Sequence, residues 1–337
     1  MTERWVADAR IGWRILLTAR AEDPLDPVPL ALRLRALYAD QDWGESPGLE
    51  HGTDVAELRL RLAAAHAAPL RVACASDTVV LSAHHAAADG LALLQVLDGL
   101  GLGPATSSSR GVADRAGGTG LLRTVGGRLA EVLAHPPARV TTPSPVPGLP
   151  GDVLLEREVA GRPRTADLVH AAAQGVVRHE AERGRTARHV AVAVGAGRPP
   201  VPGEINDRSA LIRLTDVEHL DRAQVAELVR TAPLETPPAG GEARPWTPYV
   251  DRGLALGIRL LAPRLGSTLL VSHLGEVTAP ALARLAFAPV TAGGTGLSLG
   301  AVGLAGQDRT VLTLRGRAAA WDDDGLEQLL EAVISLL

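Results

Sequence analysis

The sequence predicts a mixed α/β fold, α+β in the way its helices layer on sheets, divided into two lobes. Three observations predict it. The chain has 337 residues, more than one small core takes up and enough for two lobes of ordinary size. Short apolar strand patterns alternate with amphipathic helix patterns through both halves. Between the halves lies HPPARVTTPSPVPGLPGD, residues 135–152, whose six prolines favour an extended, semi-rigid segment. The expected domains are residues 1–140 and 152–337, joined by a proline-rich linker at 141–151.

The elements follow in order. ARIGWRILLTAR, residues 9–20, reads as a strand. A helix is expected over 28–41, with Pro29 near its start and Leu30, Leu34, Leu37 and Tyr38 on one face. Thr53 is a suitable N-cap for a second helix running through ELRLRLAAAHA. PLRVACA and TVVLSA, separated by Ser76 and Asp77, read as a hairpin. DGLALLQVLDGL reads as a helix beginning near Asp89. Residues 101–120, rich in Gly, Ser and Ala, read as a flexible loop, and 121–134 as a helix. The second half offers a strand at 153–160, a helix at 164–182, a strand at 188–195 and helices at 221–230 and 247–262. STLLVSHLG, residues 267–275, is an apolar strand ending in a small polar cluster. Residues 296–304 and 309–315 read as a hairpin. The last helix, 321–337, opens on Asp322, Asp323 and Asp324, which suit the positive end of a helix dipole, with Trp321 packing it.

Composition excludes several classes. Apolar residues make up 46% and charged residues 21%, with a net charge of −4. That balance argues against bulk nucleic-acid binding, which needs a basic excess. Aromatics at 2% leave no stacking platform for bases. All 34 basic residues are arginine, so a lysine Schiff base and a P-loop lysine are excluded. With the excess of Ala, Gly and Pro, this bias points to a GC-rich bacterial source. The single cysteine, Cys74, rules out an internal disulfide and a cysteine-cluster zinc site and reads as a small buried hydrophobe. MTERWVADAR lacks the apolar core of a signal peptide, and no apolar run reaches the ~18 residues of a membrane span. A cytoplasmic protein without a membrane partner is expected.

The chemistry concentrates in LSAHHAAADGLALL, residues 81–94. On a strand, neighbouring side chains point to opposite faces, so His84 and His85 cannot both serve one substrate, and one of them is structural. An imidazole titrating near pH 6.5 suits proton abstraction at neutral pH. Asp89 orients that base or pairs with an arginine, and Gly90 allows a tight turn or a close backbone approach. A plainly structural histidine pair is the bland alternative. A metal site on His85 and Asp89 lacks a third ligand nearby, so none is expected, and no GxSxG elbow marks a serine hydrolase.

HHAAADG resembles the HHxxxDG signature of nonribosomal peptide synthetase condensation domains, members of the chloramphenicol-acetyltransferase-like superfamily. VAVGAGRPPVPGEIN (192–206), LLVSHLGEV (269–277) and LSLGAVGLAGQDRTVLTLRG (297–316) are similar to further segments of that superfamily, so the likeness touches most of the chain. It implies two acetyltransferase-like lobes in a V with an active-site tunnel between them. It also implies that His85 is the general base, supported by His84, Asp89 and Gly90, and that Asp89 pairs with an arginine of the other lobe, by position Arg198. Ser272 and His273, the latter where asparagine is usual, are candidate substrate-binding residues.

The implied reaction passes an acyl group from a thioester to an amine or alcohol acceptor. No cofactor is implied, because the donor arrives on phosphopantetheine or coenzyme A. An acyl or peptidyl carrier protein is the expected partner. The chain has no lysine and no glycine-rich phosphate cradle for coenzyme A, and Arg178, Arg183, Arg185 and Arg188 suit steering of an acidic carrier. A cyclisation, elimination or other proton-transfer reaction in the same tunnel is an alternative, and a non-catalytic carrier-docking module is another. The chain is shorter than a usual condensation domain, lacks a DFGWG-like segment, and carries an insertion at Gly203–Asn206.

Overall fold

The computed structural model describes residues 13–109, 111–112, 135–143, 145–198, 201, 203–235, 266–291 and 295–337. The helices expected at 121–134 and 247–262 lie outside these residues, as does the start of the strand expected at 9–20.

The first sheet is built from β1 (Arg14–Ala21), β2 (Leu49–His51), β3 (Leu70–Ala75) and β4 (Thr78–His84). Helices α1 (Pro27–Asp40), α2 (Val55–Ala63) and α3 (Gly90–Gly99) accompany it. Local chemistry places each start. Asp26 caps α1 by accepting the Val28 N–H at 2.9 Å, with proline in the first turn. Asp54, and not Thr53, caps α2, accepting from the Ala56 and Glu57 N–H groups at 2.8 and 3.3 Å. The β3–β4 hairpin turns through Ser76, whose φ of 51° is left-handed. Leu30, Leu34, Leu37 and Tyr38 of α1 are all buried, and the Tyr38 hydroxyl donates to the Leu70 carbonyl.

The second sheet holds β5 (Thr106–Ser107), β6 (Asp152–Ala160), β7 (Val192–Gly197), β8 (Ser209–Leu214), β9 (Leu234–Glu235), β10 (Leu269–Thr278), β12 (Ser298–Leu304) and β13 (Arg309–Arg317). Helices α4 (Thr165–Ala181), α5 (Arg222–Thr231) and α6 (Asp323–Ile334) belong to the same half of the chain. Asp322 caps α6 by accepting the Gly325 N–H at 2.8 Å. The strand order is β6–β13–β12–β10–β7–β8–β9, with β5 on β10. β10 runs parallel to both β7 and β12. Leu168, Val169, Val271, Leu312, Leu326 and Leu330 share its core. Among the described residues, no helix is long and apolar enough to cross a membrane.

β11 (Leu282–Val290) follows β10 in the chain but joins the first sheet. It pairs antiparallel with β1, from Leu282 opposite Ala21 to Val290 opposite Arg14. The first sheet is therefore completed from the second half of the chain, in the order β11–β1–β4–β3–β2. β11 also lies against β12 so closely that a Cβ on Gly300 would fall 2.0 Å from the Phe287 carbonyl oxygen.

The described parts of the segment expected to be flexible and of the proline-rich segment are both fastened by hydrogen bonds. In the glycine- and serine-rich segment, the Ser108 N–H donates to Glu276 O at 2.8 Å and the Val112 N–H to Gly197 O at 3.0 Å. The proline-rich segment is extended but fastened to the second half. Ala138 donates to His189 O at 3.0 Å. The Thr141 N–H and hydroxyl donate to the Glu180 carboxylate at 2.6 and 2.8 Å. Ala138 and Val140 belong to the second core.

A cluster of ion pairs links the two sheets, and Arg59–Glu156 within it also links the two halves of the chain. Glu156 on β6 meets Arg59 of α2 at 2.5 Å and Arg284 of β11 at 3.0 Å. Glu158 meets Arg284 at 2.8 Å and Arg309 at 3.1 Å.

The contact at Gly300 generates a prediction. Its neighbour is backbone, which cannot swing aside, so Gly300→Ala is expected to cost about 3 kcal/mol or more, the upper end of overpacking penalties. Gly303→Ala, whose nearest neighbour would be 3.5 Å away, controls for the loss of glycine. Chemical denaturation of the two variants, compared by midpoint, checks this.

Candidate active site

β4 ends at His84, and its alternation sorts the histidine motif. Val79, Leu81 and Ala83 join the first core, while Val80 packs with Leu58 and Leu62 of α2 on the other side. His84 belongs to the Val80 face. It is 3% exposed, and its Nδ1 accepts the Ala86 N–H at 3.3 Å. Ser82 on the same face lies 3.0 Å from His66 Nε2. Arg14, opposite His84 in the β1–β4 ladder, donates to the His66 carbonyl at 2.7 Å. Burial, aided by the Arg14 charge, pushes the His66 pKa down to about 4, so this ring is neutral at neutral pH.

The chain turns directly after His84. The Ala87 and Ala88 N–H groups return to the His84 carbonyl at 2.8 and 3.2 Å, and the His85 N–H donates to Trp13 O at 3.1 Å. The His85 ring lies beside Trp13, with centroids 5.5 Å apart. Its Nδ1 is 3.4 Å from Asp207 Oδ2, and the two side chains are 16% and 27% exposed. Among the described residues its Nε2 has no protein partner. Burial opposes charging this ring, but Asp207, by contact and by charge, and then Asp89 outweigh it. The His85 pKa is held above its ordinary value. Protonated His85 thus favours the folded state. That contribution is full below the unfolded pKa and is lost as pH rises through the folded one.

Asp89 is 4% exposed and caps α3. Its Oδ1 accepts the Ala92 N–H at 2.8 Å, and its Oδ2 accepts the Arg208 N–H at 3.0 Å. Burial raises its pKa and the two N–H groups oppose that rise. The ion pair expected with Arg198 is not formed: both carboxylate oxygens are taken by backbone donors. Arg198 reaches the same place through its own N–H, which donates to Arg208 O at 3.1 Å. Gly90 serves close approach, since a Cβ there would lie 2.6 Å from Leu274 Cδ2 and 3.0 Å from Phe287 Cε2.

The segment before β8 is docked on the first half. Gln41 accepts from the Ile205 N–H at 3.1 Å, and Gln95 donates to Val201 O at 3.3 Å. Asp207, which the sequence reading missed, sits at its end. Its Oδ1 accepts the Ser209 N–H at 2.9 Å, a turn-forming role that any aspartate ahead of a strand can play.

Ser272 and His273 part company. Ser272 stands opposite Gly195 in the β7–β10 ladder, where a Cβ on Gly195 would come within 2.9 Å of its Oγ. His273 turns toward α4, with Nδ1 3.2 Å from Thr165 Oγ1, and burial pushes its pKa down to about 4. Among the described residues, no hydrogen bond or ion pair joins either residue to His85, and no group of three His, Cys, Asp or Glu is placed to hold a metal ion. Three of the four arginines suited to steering are engaged in their own lobe. Arg178 pairs with Glu182 at 3.0 Å, Arg183 donates to Gln328 at 2.9 Å, and Arg185 donates to Thr141 at 3.0 Å.

No protein-family model matches this chain, and no curated protein does. Solved structures do. The epimerization domain from the third module of tyrocidine synthetase B is 13% identical, with a TM-score of 0.54 over 96% of this chain and 91% of that one. The EpoB cyclization-docking bidomain from Sorangium cellulosum is 12% identical, with a TM-score of 0.56 over 99% and 81%. The first condensation domain of the calcium-dependent antibiotic synthetase is 15% identical, with a TM-score of 0.51 over 98% and 92%. The chain has the condensation-domain fold. The same fold carries epimerization, cyclization and condensation in these neighbours, so fold alone does not choose the reaction.

The Asp89 geometry separates two roles. Asp89→Ala removes a helix cap and strands a buried N–H, an expected cost of roughly 2–4 kcal/mol. Arg198→Ala is expected to stay within about 0.5 kcal/mol of the parent. Equal losses in denaturant titrations of the two variants would restore the ion pair.

Proposed function

We propose that this chain is a condensation-fold acyltransferase of bacterial natural-product biosynthesis, working in the cytoplasm. It transfers an acyl group from a thioester to an amine or alcohol. The observation that carries the reading is His85 itself: a partly exposed imidazole at a strand end, with Nδ1 facing a carboxylate and Nε2 unpartnered among the described residues. Nε2 takes the proton of the acceptor as its nitrogen or oxygen attacks the thioester carbonyl. The tetrahedral adduct collapses, the carbon–sulfur bond breaks, and the proton passes from His85 to the departing thiolate. No covalent enzyme intermediate is required. Holding donor and acceptor together is worth roughly 7–11 kcal/mol of barrier in favourable cases.

A carrier-bound donor is proposed over free coenzyme A, supported by the lack of lysine and of a glycine-rich phosphate cradle. Arg183 and Arg185 bond neutral groups and keep their charge, which supports steering of an acidic carrier. The cyclization and epimerization neighbours support a second reading, in which the same base moves protons without acyl transfer.

The test offers one acyl group on a carrier protein, on coenzyme A and on a short pantetheine mimic, with a panel of amines and alcohols. His85→Ala is expected to lose at least ~100-fold in rate in a protein that still folds, whereas His84→Ala acts mainly through stability. Because His85 must be neutral to accept a proton and its pKa is raised, kcat/KM is expected to fall on the acid side at a pH above about 6.5. Full activity of folded His85→Ala defeats the base, and proton exchange or cyclised product without acyl transfer selects the second reading.

A further inference from the structure

We propose that Asp207 is a positioning residue for His85: its carboxylate, delivered from the second half of the chain, holds the Nδ1–H and leaves Nε2 as the working nitrogen. The base is then a histidine–aspartate dyad assembled from both halves of the chain. The inference rests on reading His85 as the base.

Three observations converge. First, Nδ1 and Asp207 Oδ2 lie 3.4 Å apart, a distance that closes readily when a substrate excludes water. Second, Asp207 is itself fixed, because its other oxygen accepts the Ser209 N–H at 2.9 Å. Third, the next residue is the one that Asp89 grips: the Arg208 N–H donates to Asp89 at 3.0 Å. Two consecutive residues of one strand entry therefore meet His85 and Asp89 of the motif, one by side chain and one by backbone. Asp89 acts on the base through this clamp, setting where Asp207 stands. Gln41 and Gln95 fasten the same segment from α1's end and from α3.

The charged groups facing His85 are few. Asp207 comes from the entry to β8, and Asp89 from the start of α3. Trp13 contributes an uncharged ring. From its own strand, His84 turns to the opposite face. Both carboxylates raise the basicity of His85, and Asp207 is the nearer and stronger influence.

The test needs no substrate. Long-range proton–nitrogen NMR spectra of the full-length, nitrogen-15-labelled protein are recorded across the range in which imidazoles titrate, with His85 assigned by its absence in His85→Gln. The expected result is a His85 titration above about 6.5, with the neutral ring protonated at Nδ1. In Asp207→Asn, the titration is expected to fall by about one pH unit or more, the usual effect of losing a nearby opposite charge, while the other histidines stay put. A His85 titration unmoved by Asp207→Asn overturns the proposal. Where that variant fails to fold, the parent protein decides: a titration at or below the ordinary value, or a neutral ring protonated at Nε2, overturns it equally. An Asp207-dependent titration in a protein that transfers no acyl group supports the dyad and removes only the acyl-transfer reading.

Discussion

A carboxylate removed from water must be given donors, or its burial is unaffordable. Asp89 is almost wholly enclosed, and it takes one N–H from its own helix and one from the second half of the chain. The first bond makes it a helix cap; the second makes it a locating pin. Because the second donor is a main-chain N–H, it fixes a stretch of backbone rather than a flexible side-chain end. The approach of Arg208 sets the position of Asp207, and Asp207 sets the face presented by His85. The polar site is thus a consequence of satisfying one buried charge.

The two sheets are held together elsewhere by different means. β11 leaves the second half of the chain, crosses to β1 and rides over Gly300 at backbone contact. Gly90 admits Leu274 and Phe287 at the same junction. The arginine–glutamate ladder through Glu156 and Glu158 lies along this seam. Exposed members of such a ladder contribute little each. Arg59 and Glu156, at 12% and 11% exposure, are desolvated enough that losing either would strand a charge. Their effect is to fix how the halves sit rather than to add much net stability.

Much of the fold was legible because its signals are local. The apolar spacing of α1 marked the four side chains it buries. The β3–β4 hairpin declared itself through its turn, and strand alternation separated His84 from His85. The motif HHAAADG pointed to the fold that the structural neighbours share. What escaped was non-local or carried by main chain. Nothing in LARLAFAPV says that it pairs with β1 instead of a strand beside it. Proline content gave the extended form of residues 135–152 but not the surface they line. The family resemblance implied an arginine side chain as the partner of Asp89; the N–H of Arg208 has no letter of its own. Asp207 was hidden by its turn-forming position. The turn of His273 toward α4 was not legible, because strand polarity alone does not say which way each face of β10 looks, and β10 shifts register just beyond it.

The route of β11 also bears on how the molecule comes into being. While the chain is being synthesised, β1 waits with one edge unpaired until residues 282–290 emerge. Bare strand edges invite pairing with other chains, and contacts between distant parts of a chain are slow to form. β1 is the strand whose preceding residue, Trp13, receives the His85 N–H. The sheet that carries the histidines is therefore fully braced only after β11 is made, long after its own strands.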